Sequence, residues 1–257
     1  MKFSALAAVE LKKLRRSKIL LILAAPVILM WVPSVLNSAS VLAPSVSIAP
    51  ENNFFIQGFM GMSWFMIPAT LVICTVLLQQ TERTGHGILK MLSLPVSTAK
   101  LCLAKMFTLI LLALVQMILS VAAYYLSAQA ASQLQDYRFL LSPAYVIPAV
   151  ASLYAAAVPM AAVFWMISTL ITSPVFSAGI GLASVVPSVL FINTKVWFLY
   201  PMSYPFYLLM IQYGRVSPDV YGSQIDWLPW LPAAVLITAA AVAVSCLRFG
   251  AAERKKL

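Results

Sequence analysis

Long uncharged apolar runs limit what this chain can fold into more than any other feature. Residues 19–36 hold no charged side chain, and further apolar runs of similar length follow along the chain. A bilayer core about 30 Å thick is crossed by roughly 20 apolar residues in a helix. Only 9% of the residues are charged, whereas a soluble domain has about 25%. The sequence therefore predicts an integral membrane protein.

Six spans are predicted, separated by charged, polar or proline-containing breaks. They cover residues 19–36, 58–78, 106–126, 143–172, 175–192 and 228–247. The polar stretches 37–57 and 127–142 are expected to be external loops. The predicted fold class is all-α, in a single transmembrane domain over residues 1–257 with no soluble enzyme domain.

The distribution of basic residues predicts the orientation. The chain has 17 Lys and Arg residues, and six spans place all of them except Arg138, Lys195 and Arg215 on one side. Basic residues concentrate on the cytoplasmic side of membrane proteins. The protein is therefore expected in the plasma membrane, with both termini on the cytoplasmic side. The same rule explains the net charge of +10 without a nucleic-acid partner.

Residues 1–17 have the pattern of an amphipathic helix that lies in the membrane interface, with apolar residues toward lipid and basic residues toward anionic headgroups. Glu10 is an exception, because it projects from the apolar stripe. Two partners are open for it: Lys13, one turn on, or a basic residue between the second and third spans. The candidate residues of this elbow helix are Glu10, Lys13 and Arg16.

Residues 79–105 form a polar segment between two apolar spans, with a short apolar run that Pro95 closes. Proline cannot continue a helix interior. Ser97 or Thr98 can then cap a new helix. The pattern predicts a short amphipathic helix at the membrane surface over residues 81–95, followed by a sharp stop and the third span.

Residues 193–227 are rich in aromatic side chains and contain Pro201 and Pro205. Aromatic residues at this density favour the membrane–water interface. We expect an external re-entrant helical hairpin before the sixth span. The candidates for facing a substrate there are Trp197, Tyr200, Tyr204 and Tyr207.

Little catalytic or binding chemistry is visible. The sequence has no G-x-x-x-x-G-K-[ST] loop and no H-E-x-x-H motif, and its single histidine, His86, lies between two glycines. No catalytic, cofactor-binding or metal-binding residues are predicted. Charged residues are expected only at span edges and in loops, which argues against a proton-coupled or ion-coupled transporter. Energy for movement would have to come from a partner through a cytoplasmic contact.

The second and third spans are joined by Glu82, a glycine at 85 or 87, Leu-Ser-Leu-Pro-Val-Ser over residues 92–97, and Lys105. Residues 199–205 read Leu-Tyr-Pro-Met-Ser-Tyr-Pro. In these motifs and in its span layout the chain resembles permease subunits of bacterial type-2 ATP-binding-cassette (ABC) transporters. Within that class it is most similar to the lantibiotic-immunity and bacitracin-resistance permeases.

The resemblance implies that residues 81–95 are a coupling helix that docks into a separate ATPase subunit. The residues implied in this coupling are Glu82, Arg83, Gly87, Leu92 and Pro95. It also implies two permease chains, identical or homologous, with a pair of ATPases. The fifth span, with the first or second, would form the seam between the permeases. ATP and Mg²⁺ would be bound by the ATPase, and this chain would hold no cofactor.

The expected function is export of membrane-active antimicrobial peptides, as in lantibiotic self-protection or resistance. Within the same class, the cargo could instead be a drug, a lipid or a glycan. A different class is a membrane resistance or sensor protein that sequesters peptide without transport. An intramembrane enzyme fits worst, because no span carries a paired nucleophile and base.

Overall fold

The computed structural model of the chain describes residues 3–14, 19–42, 48–83, 97–219, 221–222 and 224–249, and for residues 81–83 it describes the backbone. Within these ranges the longer helices are labelled in chain order: α1 (Phe3–Leu14), α2 (Ile19–Leu36), α3 (Pro50–Gly61), α4 (Ile67–Arg83), α5 (Thr98–Gln135), α6 (Pro143–Leu170), α7 (Pro174–Ala183), α8 (Tyr204–Val216) and α9 (Trp227–Arg248). Short helices occur at Ser38–Val41 and Ser188–Phe191.

Six helical stretches of the described residues are long and apolar enough to cross a membrane: Ile19–Leu36, Pro50–Gln80, Thr98–Gln135, Pro143–Leu170, Pro174–Phe191 and Trp227–Arg248. The predicted all-α class and the six spans are therefore confirmed. The first span has the predicted bounds, whereas the second and third are longer than expected.

Local sequence explains where several helices begin and end. Proline occupies the first turn of α3, α6 and α7, where its missing N–H costs nothing. Ser97 caps α5, because its hydroxyl accepts a hydrogen bond from the backbone nitrogen of Lys100 at 3.4 Å. Asp136 follows the end of α5 in a left-handed conformation (φ 50°), which aspartate tolerates better than most residues. Of the two predicted caps for the third span, the structure selects Ser97.

The second span contains a change of helix type. Residues Met62–Met66 form a π-helical segment between α3 and α4. Pro68 follows it in the first turn of α4. Proline lacks an N–H and its ring clashes with the carbonyl of the residue four positions earlier, here Trp64. A local widening of the helix relieves that crowding, and π segments of this kind often lie at functional sites.

The helices form one bundle with α6 at its centre. This helix contacts α4, α5, α7, α8 and α9, whereas α2 packs mainly against α5. Packing also separates the two halves of the second span, because α3 lies mainly against α8 and α2, and α4 mainly against α6 and α7. We call the end of the bundle that holds α1, the end of α4 and the start of α5 the α1 end, and the other end the far end.

The N-terminal helix α1 packs differently from the prediction. Its buried residues are Leu6, Ala7 and Glu10, and they face α5. Phe3 meets Phe107 of α5 edge-on, with the ring centroids 6.0 Å apart. The apolar stripe therefore lies partly against protein, because a complementary apolar face of α5 is available to it.

Two stretches predicted as external loops are largely helical. Within residues 37–57 lie the helix Ser38–Val41 and the first half of α3, and α5 continues through most of 127–142. The extra turns of α5 are stabilised by tertiary contacts, since Ala128 and Ala131 are completely buried. The Tyr124 hydroxyl also accepts a hydrogen bond from the backbone nitrogen of Leu141 at 2.9 Å. Hydropathy alone carries no signal of these contacts.

An aromatic cluster fills the core near the far end, and a glycine makes room for its central ring. Trp31 is buried among Phe54, Phe59 and Tyr124. A Cβ at Gly58 would lie 2.5 Å from two carbons of the Trp31 ring, which these neighbours hold in place. We expect Gly58→Ala to lower the stability of the protein in detergent by about 1–3 kcal/mol, the usual cost of overpacking a core. The thermal unfolding midpoint measures this.

Gly61 offers a matched control in the same helix. A Cβ there would meet the Met30 sulfur at 2.5 Å, but Met30 is flexible and only partly buried. Gly61→Ala should therefore shift the midpoint less than Gly58→Ala. Equal shifts for the two variants would show that the Trp31 ring is not held as tightly as described.

Candidate functional site

A buried ion pair joins α1 to α5 at the α1 end. The Nζ of Lys105 lies 2.8 Å from Oε2 of Glu10, and both side chains are almost fully buried, with 1% and 3% of the side chain exposed. The other oxygen, Oε1, accepts a hydrogen bond from Nζ of Lys13 at 2.8 Å. Both of the partners considered for Glu10 are therefore present, one within α1 and one on the third span.

The start of α5 is also tied to α6. The indole Nε1 of Trp165 donates a hydrogen bond to the sulfur of Cys102 at 3.2 Å. Trp165 in turn stacks with Phe249, just after α9, with ring centroids 6.4 Å apart. Cys102 and Lys105 are one turn apart, so the first two turns of α5 contact α1 and α6 together.

Two of the residues implied in coupling lie on a described helix. Glu82 and Arg83 are the last two residues of α4, where the second span ends. Gly87, Leu92, Pro95 and the elbow residue Arg16 lie outside the described residues. The end of α4 and the start of α5, which flank residues 84–96, thus lie at the same end of the bundle as α1.

Charged residues in the six described spans lie near span ends, but one of them is more deeply placed than expected. The charged residues within these spans are Glu51, Lys100, Lys105 and Arg248. Lys105 was expected in a polar segment between spans, yet it is the eighth residue of α5 and is buried. Burial is tolerated there because Glu10 supplies an opposite charge.

Uncharged polar side chains link the spans in the interior. The amide of Gln79 on α4 donates to the Thr169 hydroxyl of α6 at 3.3 Å. Gln116 on α5 donates to Thr70 of α4 at 3.0 Å. Interhelical hydrogen bonds of this kind contribute about 0.6 kcal/mol each in membranes. They fix how α4 sits against its neighbours without introducing a group that titrates.

The aromatic segment at the far end is folded onto itself. It consists of two 3₁₀ turns, Trp197–Leu199 and Pro201–Ser203, followed by α8. Trp197 stacks on Tyr207 with ring centroids 3.6 Å apart and planes at 17°. Of the four candidates for facing a substrate, Trp197, Tyr204 and Tyr207 are buried and Tyr200 is half-buried.

Hydroxyl groups of this segment are used internally. Tyr204 donates to the carbonyl of Phe198, and Tyr200 donates to the carbonyl of Ser184. Burial raises the pKa of Tyr204 to about 12. A raised pKa means that stability from the neutral phenol is complete below the ordinary tyrosine pKa near 10 and is lost as the pH rises toward 12. Tyr204 therefore stays neutral at pH 7 and keeps its hydrogen bond to Phe198.

The exposed surface around the aromatic segment is formed by residues that are not among the four predicted substrate-facing candidates. Leu199 and Trp227 are more than half exposed, at 58% and 57%, and Leu228 is exposed at 88%. Trp227 begins α9 and contacts Trp230, with ring centroids 5.4 Å apart. The sequence does not distinguish these exposed residues from the buried tyrosines, because both groups are apolar or aromatic and lie in the same part of the chain.

An apolar groove of about 390 Å³ lies between the middle of α5 and the first half of α6. Its lining residues are Leu114, Met117, Ile118, Val121, Ala122, Ile147, Val150, Ala151 and Tyr154. The Tyr154 hydroxyl is engaged with the carbonyl of Ile110 at 3.4 Å. None of the described residues that line the groove is charged.

The fold and its charge distribution define a multi-pass, all-helical membrane protein whose charged contacts gather at span ends. Residues 6–211 match the model of a protein family described as ABC-2 family transporter protein. This match covers most of the chain, so the protein belongs to that family and is a transmembrane subunit of an ABC transporter. The family implies association with an ABC ATPase and with the lipid bilayer. Neither a curated protein nor a solved structure matches the chain.

Proposed function

We propose that the chain is the permease of an ATP-driven exporter that removes membrane-active antimicrobial peptides, as in lantibiotic self-protection or resistance. The observation that carries this proposal is the position of the charged residues in the described spans. All of them lie within about two turns of a span end, so the middle of each described span holds no Asp, Glu, Lys, Arg or His side chain of the kind that ion-coupled transport uses.

Energy would enter at the α1 end. Residues 84–96 connect the end of α4 to the start of α5, and a pair of ATPase subunits that bind ATP and Mg²⁺ would dock there. A second permease chain, identical or homologous, would complete the transporter. Both termini would lie on the cytoplasmic side of the bacterial plasma membrane, with the aromatic segment on the outside.

The far end supports a peptide as cargo. Leu199, Trp227 and Leu228 are exposed next to the buried aromatic segment. An amphipathic peptide held in the outer leaflet presents apolar side chains at the depth where interfacial aromatic residues prefer to lie. Contact with these exposed residues would bring such a peptide to the mouth of the transporter.

A vesicle assay tests the proposed function. The chain is purified with its ATPase partner and reconstituted, and release of a fluorescent lantibiotic from the vesicle surface is followed. We expect release to require ATP and to stop when the ATPase carries a Glu→Gln substitution at its catalytic glutamate. Release that continues with the inactive ATPase would favour a sequestering protein, and ATP-dependent transport of a lipid or drug alone would replace the peptide as cargo.

A further inference from the structure

The buried ion pair between Glu10 and Lys105 is not needed to pack α1 against α5. Helices α1 and α5 already share apolar contacts through Leu6 and through the Phe3–Phe107 ring pair. A buried ion pair is a poor way to add stability, because the cost of removing both charges from water offsets their attraction. Apolar side chains of the same volume would hold the two helices together at least as well.

What an ion pair adds is a fixed position. The 2.8 Å distance between Nζ of Lys105 and Oε2 of Glu10 sets the angle and the axial alignment of α1 against α5. In a low-dielectric site such a pair is hard to separate, because each charge would be left without its partner. Apolar contacts between the same helices would allow sliding, since they have no preferred direction.

The ion pair lies close to residues 84–96, which would receive the motion of the ATPase under the proposed function. Lys105 is two turns after Ser97, the residue that follows segment 84–96. On the other side, α1 ends at Leu14, and only four residues separate it from α2, which begins at Ile19. A displacement of the start of α5 would therefore reach α1 through Lys105 and Glu10.

We propose that Glu10 and Lys105 are positioning residues that make α1 move together with the start of α5 during transport. This inference rests on the proposed function, in which residues 84–96 receive the motion of an ATPase. The Trp165–Cys102 hydrogen bond gives the start of α5 a second attachment, to α6. The first two turns of α5 are thus held to α1 by the ion pair and to α6 by the hydrogen bond.

The test replaces the pair with apolar residues of similar size. The double variant Glu10→Leu/Lys105→Met should fold and should melt close to the wild-type temperature, because the two buried charges are removed together. We expect the number of peptides released per ATP hydrolysed to fall about tenfold, the usual size of a coupling between two sites. The measurement uses the reconstituted complex, with ATP hydrolysis and peptide release recorded on the same vesicles.

Lys12→Met is the matched control, because Lys12 is an exposed cation of α1. It should leave the ratio of peptide release to ATP hydrolysis unchanged. A double variant that is stable and transports like the wild type would overturn the positioning role while leaving the proposed function intact. Wild-type vesicles that show no ATP-dependent release would instead count against the proposed function.

A second readout does not depend on the ATPase. Spin labels at Leu11 of α1 and Leu103 of α5, both about 40% exposed, report the distance between the two helices. We expect one narrow distance distribution with the ion pair and a broader one in the double variant. Equal widths would show that apolar packing alone aligns the helices and would overturn the inference.

Discussion

Trp197→Ala is expected to lower the free energy of unfolding by about 3–5 kcal/mol, the range found when a large buried aromatic side chain is removed. Trp197 is 5% exposed and stacks on Tyr207, and it also meets Tyr204 and Trp230. Its removal leaves a cavity that three rigid rings cannot fill by small movements. A denaturant titration in detergent, followed by tyrosine and tryptophan fluorescence, measures the loss.

Trp227→Ala separates this effect from the loss of any tryptophan. Trp227 belongs to the same region but is 57% exposed, so its truncation should change the free energy of unfolding by less than about 1 kcal/mol. The peptide-release assay should respond in the opposite order, with Trp227→Ala weakening peptide binding in a protein that remains stable. If the two variants lose equal stability, Trp197 is not a core residue.

Glu82→Lys is expected to uncouple ATP hydrolysis from transport, with a fall in peptide release on the order of tenfold. Glu82 lies in the last turn of α4. The C-terminal end of a helix carries partial negative charge and favours a cation, so lysine should not destabilise the helix. A loss of transport would then report a lost contact with the ATPase rather than unfolding. ATP hydrolysis and peptide release are measured on the same reconstituted complex.

Asp219→Lys is the control for Glu82→Lys. It makes the same change in charge on an exposed residue near the far end, where no ATPase contact is expected. Transport should remain at the wild-type level. Normal peptide release by the Glu82→Lys variant would remove Glu82 from the coupling contact.

The sequence predicted the number of spans because hydrocarbon thickness acts on each helix separately. The ends of the helices were harder to predict, since they depend on contacts between distant residues. The third span was expected to stop at residue 126. Helix α5 continues to Gln135, because Ala128 and Ala131 are completely buried inside the folded protein. The direction in which each apolar span faces could not be predicted, because a helix that is apolar on all sides shows no preferred side.

The candidate site was predicted unevenly for a similar reason. Glu10 stood out because a carboxylate in an apolar stripe needs a partner, and the structure supplies Lys105 and Lys13. The aromatic residues gave no such signal of direction. Tyr204 and Tyr207 were expected to face a substrate, yet they are buried: Tyr207 stacks on Trp197, and Tyr204 packs edge-on against Trp197 and Trp230.

The π-helical segment at Met62–Met66 divides the second span into two rods with different neighbours. Bending an ordinary helix at its middle breaks several regular hydrogen bonds, but here the regular pattern is already interrupted, and Pro68 contributes no N–H. A pivot at this place is therefore inexpensive. The second span can therefore change the angle between α3 and α4 at Met62–Met66 while each of the two rods stays helical.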